Sequence, residues 1–205
     1  VADLISVPIQ NNTYFDFGPR EGTLNVTNIQ PVLPFNLSED WNLITRTILP
    51  IVSQPGLTPG QDRETGLGDI VLSGFLSPAR PSKLNFNGKL LWGVGPVTLL
   101  PTATDDRLGQ DKWGLGPGLV LLTMPGNWVI GTLLWNTWSF AGSGEQDVNR
   151  LTWQYFVNYN LPKGWYLTSA PIMTANWEAS RGGDTWTVPV GGGLGRIFRI
   201  GPLPV

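Results

Sequence analysis

The sequence predicts an all-β chain, an antiparallel up-and-down β-barrel that crosses a membrane. Three observations predict it. Residues 113–144 carry no charge but are interrupted by prolines and glycines. Turn-like clusters divide the chain into about ten strand-sized segments, as expected for a small membrane barrel. Tryptophans stand close to the ends of these segments.

Composition excludes several classes of protein. Only 14% of the 205 residues are charged, against roughly 25% in ordinary soluble domains. The net charge of −2 provides no basic surface for nucleic acid, so no nucleic-acid partner is expected. Cysteine is absent, which is compatible with an exported protein without disulfides. The length predicts one domain over residues 1–205.

The uncharged stretch would pass a hydropathy test for a membrane helix, which needs roughly 20 apolar residues. Pro117, Pro125 and the repeated glycines are poor helix formers. Residues 124–127 read MPGN, which is turn chemistry. About a dozen residues lie on either side of this turn, close to the length of a tilted membrane strand. The stretch is therefore predicted to be a β-hairpin.

Turn clusters mark the remaining elements. In chain order they are GPREG (18–22), SED (38–40), PGLTPGQDRETG (55–66), SPARPSK (77–83), PTATDDRLGQD (101–111), MPGN (124–127), AGSGEQD (141–147), LPKG (161–164), EASRGGD (178–184) and GPLP (201–204). Short connections alternate with longer, more polar ones. This alternation is typical of outer-membrane barrels, which have short periplasmic turns and longer external loops.

Period-2 alternation is cleanest in residues 150–160. One face carries Leu151, Trp153, Tyr155, Val157 and Tyr159, and the other face carries Arg150, Thr152, Gln154, Asn158 and Asn160, with Phe156 as the exception. Alternation alone leaves a soluble β-sandwich or lipocalin-like barrel open, with the apolar face turned inward. The position of the tryptophans and the length of the segments favour the membrane barrel.

The tryptophans are predicted to form two aromatic girdles at the lipid–water interfaces. Those directly after tight turns are Trp41, Trp128 and Trp165, and those near longer loops are Trp113, Trp138, Trp177 and Trp186.

The polar face is predicted to line the interior of the barrel. Its members are Gln10, Asn12, Asp16, Asn28, Gln30, Arg46, Asp69, Lys89, Arg150, Gln154, Asn158 and Glu178. Such an interior is either a polar channel or a salt-bridged plug that stops conduction. Arg150 is expected to pair with Glu178 or Asp69, to project a positive field at permeating solutes, or to lie as a solvated charge at the rim.

Catalysis is not expected. The chain lacks histidine as well as cysteine, which excludes Ser-His-Asp and Cys-His sites and histidine-based zinc chemistry. The carboxylates of Asp105, Asp106, Asp62 and Glu64 lie in polar loops and read as solvated charges. Neither a metal nor a cofactor is expected.

Three glycine motifs superficially suggest phosphate-binding loops. They are GVGP (93–96), GLGPG (114–118) and GGGLG (191–195). No Gly-Lys-Ser/Thr follows any of them, and no helix is predicted after them. The glycines are predicted to allow bending or to make room for bulky neighbours in strands.

Three segments resemble a known bacterial family. They are LPTATDDRLGQDKWGLGPG (100–118), WNLITRTILPIVSQP (41–55) with GLGD (66–69), and NLPKGWYLTSAPIMTANWEA (160–179). The family comprises outer-membrane transporters assigned to the phenol meta-degradation pathway, sometimes called neuromedin-U-like. The resemblance implies a Gram-negative outer-membrane β-barrel that passes small solutes, aromatic ones included.

Members of that family continue past the equivalent of GPLPV with another hairpin. This chain is therefore expected to supply about ten strands of a barrel of about twelve and to lack a C-terminal hairpin; the alternative is a barrel that closes with ten. The expected function is a passive channel, with membrane lipid as the surrounding partner. The alternative is a non-conducting structural or adhesion barrel whose external loops bind a partner.

Overall fold

The computed structural model describes residues 5–83, 89–179, 185–201 and 203–204, and they are almost entirely β-structure. Within these residues the only helical element is one 3₁₀ turn, Pro162–Gly164. In this part of the chain no helix has the length and apolar character needed to cross a membrane. The prediction of an all-β chain is confirmed.

In the described residues, strands follow one another along the chain and are joined by tight turns and longer loops. They are β1 Ile9–Phe17, β2 Gly22–Ile29, β3 Val32–Asn36, β4 Trp41–Gln54, β5 Glu64–Leu67, β6 Ile70–Pro78, β7 Ser82–Lys83, β8 Lys89–Leu100, β9 Lys112–Thr123, β10 Trp128–Gly142, β11 Asn149–Asn160, β12 Trp165–Ser169, β13 Ile172–Asn176, β14 Trp186–Thr187, β15 Gly193–Arg196, β16 Arg199–Ile200 and β17 Leu203–Pro204. β16 and β17 pair only with each other, and the others join in one antiparallel sheet.

The sheet follows the order of the chain without crossovers. Its main path is β1-β2-β4-β6-β8-β9-β10-β11-β12-β15, and every pair along it is antiparallel. The hairpin predicted in the uncharged stretch is β9 and β10, with Thr123 opposite Ile130 and Leu115 opposite Trp138. That prediction is confirmed. The longer loops consequently share one edge of the sheet, and the tight turns share the other.

Several predicted segments are interrupted strands. β2 and β3 pair with successive parts of β4, and the break between them includes Pro31. β12 and β13 both pair with β11, and the break includes Pro171. Proline lacks the N–H that a ladder needs, which explains both breaks. The cluster at 77–83 is also not wholly a turn, since Ser82 and Lys83 form β7 and pair with Leu90 and Lys89. The clusters at 178–184 and 201–204 lie partly outside the described residues.

The two ends of the main path are β1 and β15, and they are not paired with each other in the described part of the chain. What the structure describes is thus an open antiparallel sheet.

The two faces of the sheet differ in burial. Directly opposed residues of an antiparallel pair share a face, so the register assigns every strand residue. We call the face that bears Phe75, Val97 and Leu133 the inner face, because most buried strand side chains lie on it. The opposite, outer face bears mostly exposed apolar side chains. Met173 and Ala175 are buried exceptions on the outer face of β13, where Ala175 lies opposite Trp186.

An apolar cluster occupies the inner face of β6, β8, β9 and β10. Phe75, Val97 and Leu133 form it, with Val71, Val120 and Trp135 packed against it. Gly118 makes room for this cluster, because a methyl group there would meet Val97 Cγ2 at 2.7 Å and Phe75 Cε1 at 3.0 Å. The prediction that strand glycines accommodate bulky neighbours is confirmed here.

Two Gly-Pro steps lie at the centre of the sheet. Pro96 and Pro117 are directly opposite each other in the β8–β9 pair. The neighbouring ladders, β6–β8 and β9–β10, are each interrupted at the proline. Gly74 has no partner in β8, and Asn136 has no partner in β9. A proline cannot donate to these neighbours. The glycine before each proline lies against the backbone carbonyl left without a donor, where a side chain would collide.

Candidate functional site

Most of the predicted polar residues share the inner face of the sheet. By register and alternation they are Gln10, Asn12, Asn28, Gln30, Arg46, Lys89, Arg150, Gln154 and Asn158. They come from β1, β2, β4, β8 and β11 and from Gln30 directly after β2. The carbonyl oxygen of the Asn158 side chain is buried without a hydrogen-bond partner in the described part of the chain.

The structure places the other three predicted residues elsewhere. Asp16 is exposed, with a φ of 55° at the register shift that ends β1. Asp69 lies between β5 and β6, where its carboxylate accepts hydrogen bonds from the backbone N–H of Ala103 (3.3 Å) and Gln110 (2.6 Å). Glu178 is exposed beyond the end of β13. All three stand at loop ends, where strand alternation no longer decides the direction of a side chain.

Four inner-face side chains form a hydrogen-bonded chain that we call the amide relay: Arg46, Gln30, Gln10 and Asn12. Arg46 Nη2 donates to Gln30 Oε1 at 2.5 Å. Gln30 Nε2 donates to Gln10 Oε1, and Gln10 Nε2 donates to Asn12 Oδ1, both at 3.2 Å. Along this chain, each side-chain oxygen accepts from the neighbour that lies closer to the Arg46 guanidinium. Gln30 is only 6% exposed, so the relay is anchored in the fold.

Arg46 stands where polar and apolar parts of the inner face meet. It lies opposite Val32 in β3 and Ser73 in β6. On β6, Val71 and Phe75 flank Ser73 on the same face, and both belong to the apolar cluster. By register, Arg46 therefore lies on the inner face between residues of the amide relay and the β6 residues of the apolar cluster.

Within the described residues, the inner-face cations are not held in ion pairs. In the described part of the chain, salt bridges join Arg107 to Glu64 and Asp105, and Lys112 to Asp147. Arg46, Lys89 and Arg150 take no part in them. The pairing expected for Arg150 with Glu178 or Asp69 is not formed, because Asp69 binds loop amides and Glu178 lies outside the strands.

The loop carboxylates have a structural role instead. Arg107 donates from Nε to Asp105 Oδ1 at 2.8 Å, and it also pairs with Glu64. Hydrogen bonds from Arg107 lower the pKa of Asp105 to about 2, and the same contact raises the pKa of Arg107. The guanidinium of Arg107 therefore favours the ionised form of Asp105, and it links the loop at 101–111 to Glu64 at the start of β5. The described residues contain no cluster of three or more acidic side chains able to hold a metal ion.

The predicted girdle tryptophans lie on the outer face, with exposures of 38–47%. The turn-side row, Trp41, Trp128 and Trp165, consists of the first residues of β4, β10 and β12. The loop-side row consists of Trp113, Trp138, Trp177 and Trp186, at the opposite strand ends. Aromatic neighbours accompany both rows: Trp92 beside Trp41 at 6.1 Å between ring centroids, Tyr159 beside Trp128 at 4.7 Å, and Trp177 beside Trp186 at 5.7 Å.

The separation of the rows can be compared with a bilayer. Trp128 and Trp138 lie on the same face of β10, ten residues apart. At about 3.3 Å per residue this is roughly 33 Å along the strand. A strand inclined by about 40° converts it to a height of about 25 Å, which is the height of the apolar band on membrane barrels. At that inclination the distance between the rows would match the distance between the two lipid–water interfaces of a bilayer.

Several polar side chains on the outer face are hydrogen-bonded to one another. Trp153 Nε1 donates to Thr132 Oγ1 at 2.8 Å, and Trp177 Nε1 donates to Asn136 Oδ1 at 2.9 Å. Asn136 Nδ2 in turn donates to Asn149 Oδ1 at 3.1 Å. Such pairing lowers the cost of placing these groups in a medium that offers no hydrogen bonds.

One region of the outer face is polar. Asn11, Thr13, Asn25 and Thr27 form a hydrogen-bonded ladder on β1 and β2, including Asn11 Nδ2 to Thr27 Oγ1 at 2.6 Å. Thr27 lies opposite Ile51, which is ten residues along β4 from the turn-side row. The ladder consequently lies at the level of the loop-side row or beyond it, where water would replace lipid.

An apolar depression of about 830 Å³ lies on the outer face at the Gly-Pro steps. The side chains that line it include Val94, Pro96, Leu115, Pro117, Leu134, Trp138 and Leu151. The sheet separates this depression from the amide relay. None of the apolar side chains that line the depression can act as an acid, a base or a metal ligand. Its surface suits a hydrocarbon chain.

Sequence reasoning missed small polar residues on the inner face. Asn42, Ser73 and Ser77 are each less than 10% exposed, and Ser73 Oγ donates to the backbone oxygen of Arg46 at 3.1 Å. The alternation of Ser73, Phe75 and Ser77 along β6 was the available signal. It is weak because serine is common on either face.

No protein-family model, curated protein or solved structure matches this chain.

Proposed function

We propose that the chain supplies strands of a β-barrel in a bacterial outer membrane and acts as a passive channel for small solutes. One observation carries the proposal. The same sheet presents two tryptophan rows on one face, ten residues apart along β10, and a hydrogen-bonded polar surface on the other, whose cations Arg46, Lys89 and Arg150 form no ion pair within the described residues.

Each face suits a different surrounding. The outer face is broad and apolar between the rows, as a lipid-facing surface requires, and a hydrocarbon chain of the bilayer would fill its depression. Arg196 stacks over Trp165 at 5.4 Å in the turn-side row, where a cation can reach the polar headgroups. The inner face would then enclose the lumen. Closure requires the free edges of β1 and β15 to be paired, because unpaired backbone groups are costly in hydrocarbon.

A passive channel needs no catalytic group, since it selects by diameter and by the groups that line it. The solutes are small and, by the resemblance described above, include aromatic compounds. A second function is favoured by the apolar cluster on the inner face. Phe75, Val97 and Leu133 would occupy part of a narrow lumen, as in a non-conducting barrel whose external loops bind a partner.

Conductance separates the two functions. Purified, folded protein is inserted into a planar bilayer, and discrete current steps are expected. The gel-shift of the unheated protein establishes that it is folded. A folded, inserted protein that passes no ions would overturn the channel and favour the structural barrel.

A further inference from the structure

We infer that Arg46 and the amide relay form a subsite for a small organic anion, at the boundary between the polar and apolar parts of the inner face. This inference rests on the proposed channel and names the class of solute that it prefers.

The first step is the charge. A guanidinium has five N–H donors and stays protonated at any working pH. In the described part of the chain, the Arg46 guanidinium donates a single hydrogen bond, to Gln30, and no carboxylate pairs with it. A half-buried cation is costly without an opposite charge. An anion that accepts the remaining donors supplies that charge.

The second step is preorganisation. Gln30 is almost fully buried, and its amide oxygen is directed at Arg46 by its own hydrogen bond to Gln10. The hydroxyl of Ser73 holds the Arg46 backbone from the neighbouring strand. The guanidinium is thus fixed before any ligand arrives, which reduces the entropy lost on binding. A planar carboxylate matches its remaining donors in a bidentate arrangement.

The third step is the apolar neighbour. Ser73 lies directly across from Arg46, and Val71 and Phe75 lie on either side of Ser73 on the same face. An anion held by the guanidinium would place the rest of its body against this surface. Inorganic anions such as chloride gain nothing there, whereas an anion with a hydrocarbon body buries apolar area. The site therefore prefers a carboxylate such as butyrate over formate.

Charge preference is measured first. In a planar bilayer under a KCl gradient, the wild-type reversal potential is expected to show preference for chloride over potassium. Arg46→Gln should reduce the chloride-to-potassium permeability ratio about fourfold, as expected for loss of one nearby lumen charge. Arg46→Lys should retain most of the preference. Arg63→Gln is the matched control, because Arg63 lies in a loop and donates to the Ser53 backbone.

The organic body is tested by block of the chloride current. Butyrate should block at a lower concentration than formate, and Arg46→Gln should raise the half-blocking concentration of butyrate about fourfold or more. Val71→Thr keeps the shape of the side chain and should narrow the difference between butyrate and formate while leaving the charge preference unchanged.

The outcomes separate the two proposals. Absence of conductance from folded wild type defeats the channel and the subsite with it. A conducting wild type without chloride preference, or an Arg46→Gln variant that keeps that preference, defeats the subsite and leaves the channel standing. If formate and butyrate block the chloride current at the same concentration, the subsite has no preference for an anion with a hydrocarbon body.

Discussion

Tyr166 lies directly opposite Gly195 in the β12–β15 pair, and its ring covers the position that a side chain at residue 195 would take. Gly195→Ala should therefore displace the ring and lower the free energy of unfolding by about 1 kcal/mol, at the low end of overpacking costs. Urea unfolding of the reconstituted protein, followed by tryptophan fluorescence, measures the change.

A double-mutant cycle isolates this contact. The three heavy atoms nearest to the added methyl group belong to the Tyr166 side chain, so Gly195→Ala should cost almost nothing in a Tyr166→Ala background. Equal costs in both backgrounds would show that the ring and the glycine are not coupled.

The Gly-Pro steps predict a larger effect. A methyl group at Gly116 would collide with the backbone oxygen of Asn136, which no side-chain rotation can relieve. Gly116→Ala is expected to destabilise the folded protein by about 2–3 kcal/mol. Gly74→Ala is the matched control, because its methyl group would meet only Leu43 Cδ1, at 3.6 Å. Equal stability of the two variants would contradict the close approach.

If the outer face meets lipid, the tryptophans of both rows should lie at the depth of the lipid headgroups. Variants that retain a single tryptophan at 128 or 138 should be quenched most strongly by lipids that carry the quencher near the headgroup. Leu134→Trp, introduced without other tryptophans, lies between the rows on the same face and should respond most to quenchers near the chain ends. A uniform response at all three positions would rule out the membrane orientation proposed for this face.

The loop ion pair predicts a pH dependence. Because the pKa of Asp105 is lowered to about 2, its contact with Arg107 stabilises the folded state above the ordinary pKa of about 3.9. That contribution is lost as pH falls from about 4 towards 2. The side-chain carbon shift of Asp105 should titrate near 2 in wild type and closer to 3.9 in Arg107→Gln. Arg63→Gln should leave the midpoint unchanged; an ordinary midpoint in wild type would exclude the contact in solution.

A substitution of Arg150 examines the charge at the loop end of the inner face. It is exposed and lies opposite Thr137 and Asn176, close to the loops. In a conducting protein, Arg150→Gln should lower the chloride preference less than Arg46→Gln does, and the effect should fade in high salt because an exposed charge is screened. Reversal potentials at two salt concentrations measure this. A larger effect than that of Arg46→Gln would place the selective region near the loops.

Local chemistry was enough to predict one hairpin and the two faces of one strand. The MPGN turn located the β9–β10 hairpin, and alternation placed Arg150, Gln154 and Asn158 on one face of β11. Alternation failed for Asp69, because the carboxylate caps loop amides that come from distant residues. It failed for Glu178 because β13 ends at Asn176.

Long-range features were less accessible from the sequence. The apolar cluster unites Phe75, Val97 and Leu133 from three strands, and its position depends on how the strands are registered. The breaks at Pro31 and Pro171 follow from the missing N–H of proline, which is a local feature of the sequence. Closure depends on pairing between strand edges far apart in the sequence, which no local pattern encodes.

The opposed prolines of β8 and β9 have a consequence for amide hydrogen exchange. Pairing between these strands is continuous from Leu90 to Leu99, whereas the ladders to β6 and β10 are each interrupted at a proline. The ladder between β8 and β9 is therefore more complete than the ladders that join these two strands to β6 and β10. Under conditions that loosen the sheet, β8 and β9 should remain protected together, and the first amides to exchange within the sheet should be those that line the two interruptions.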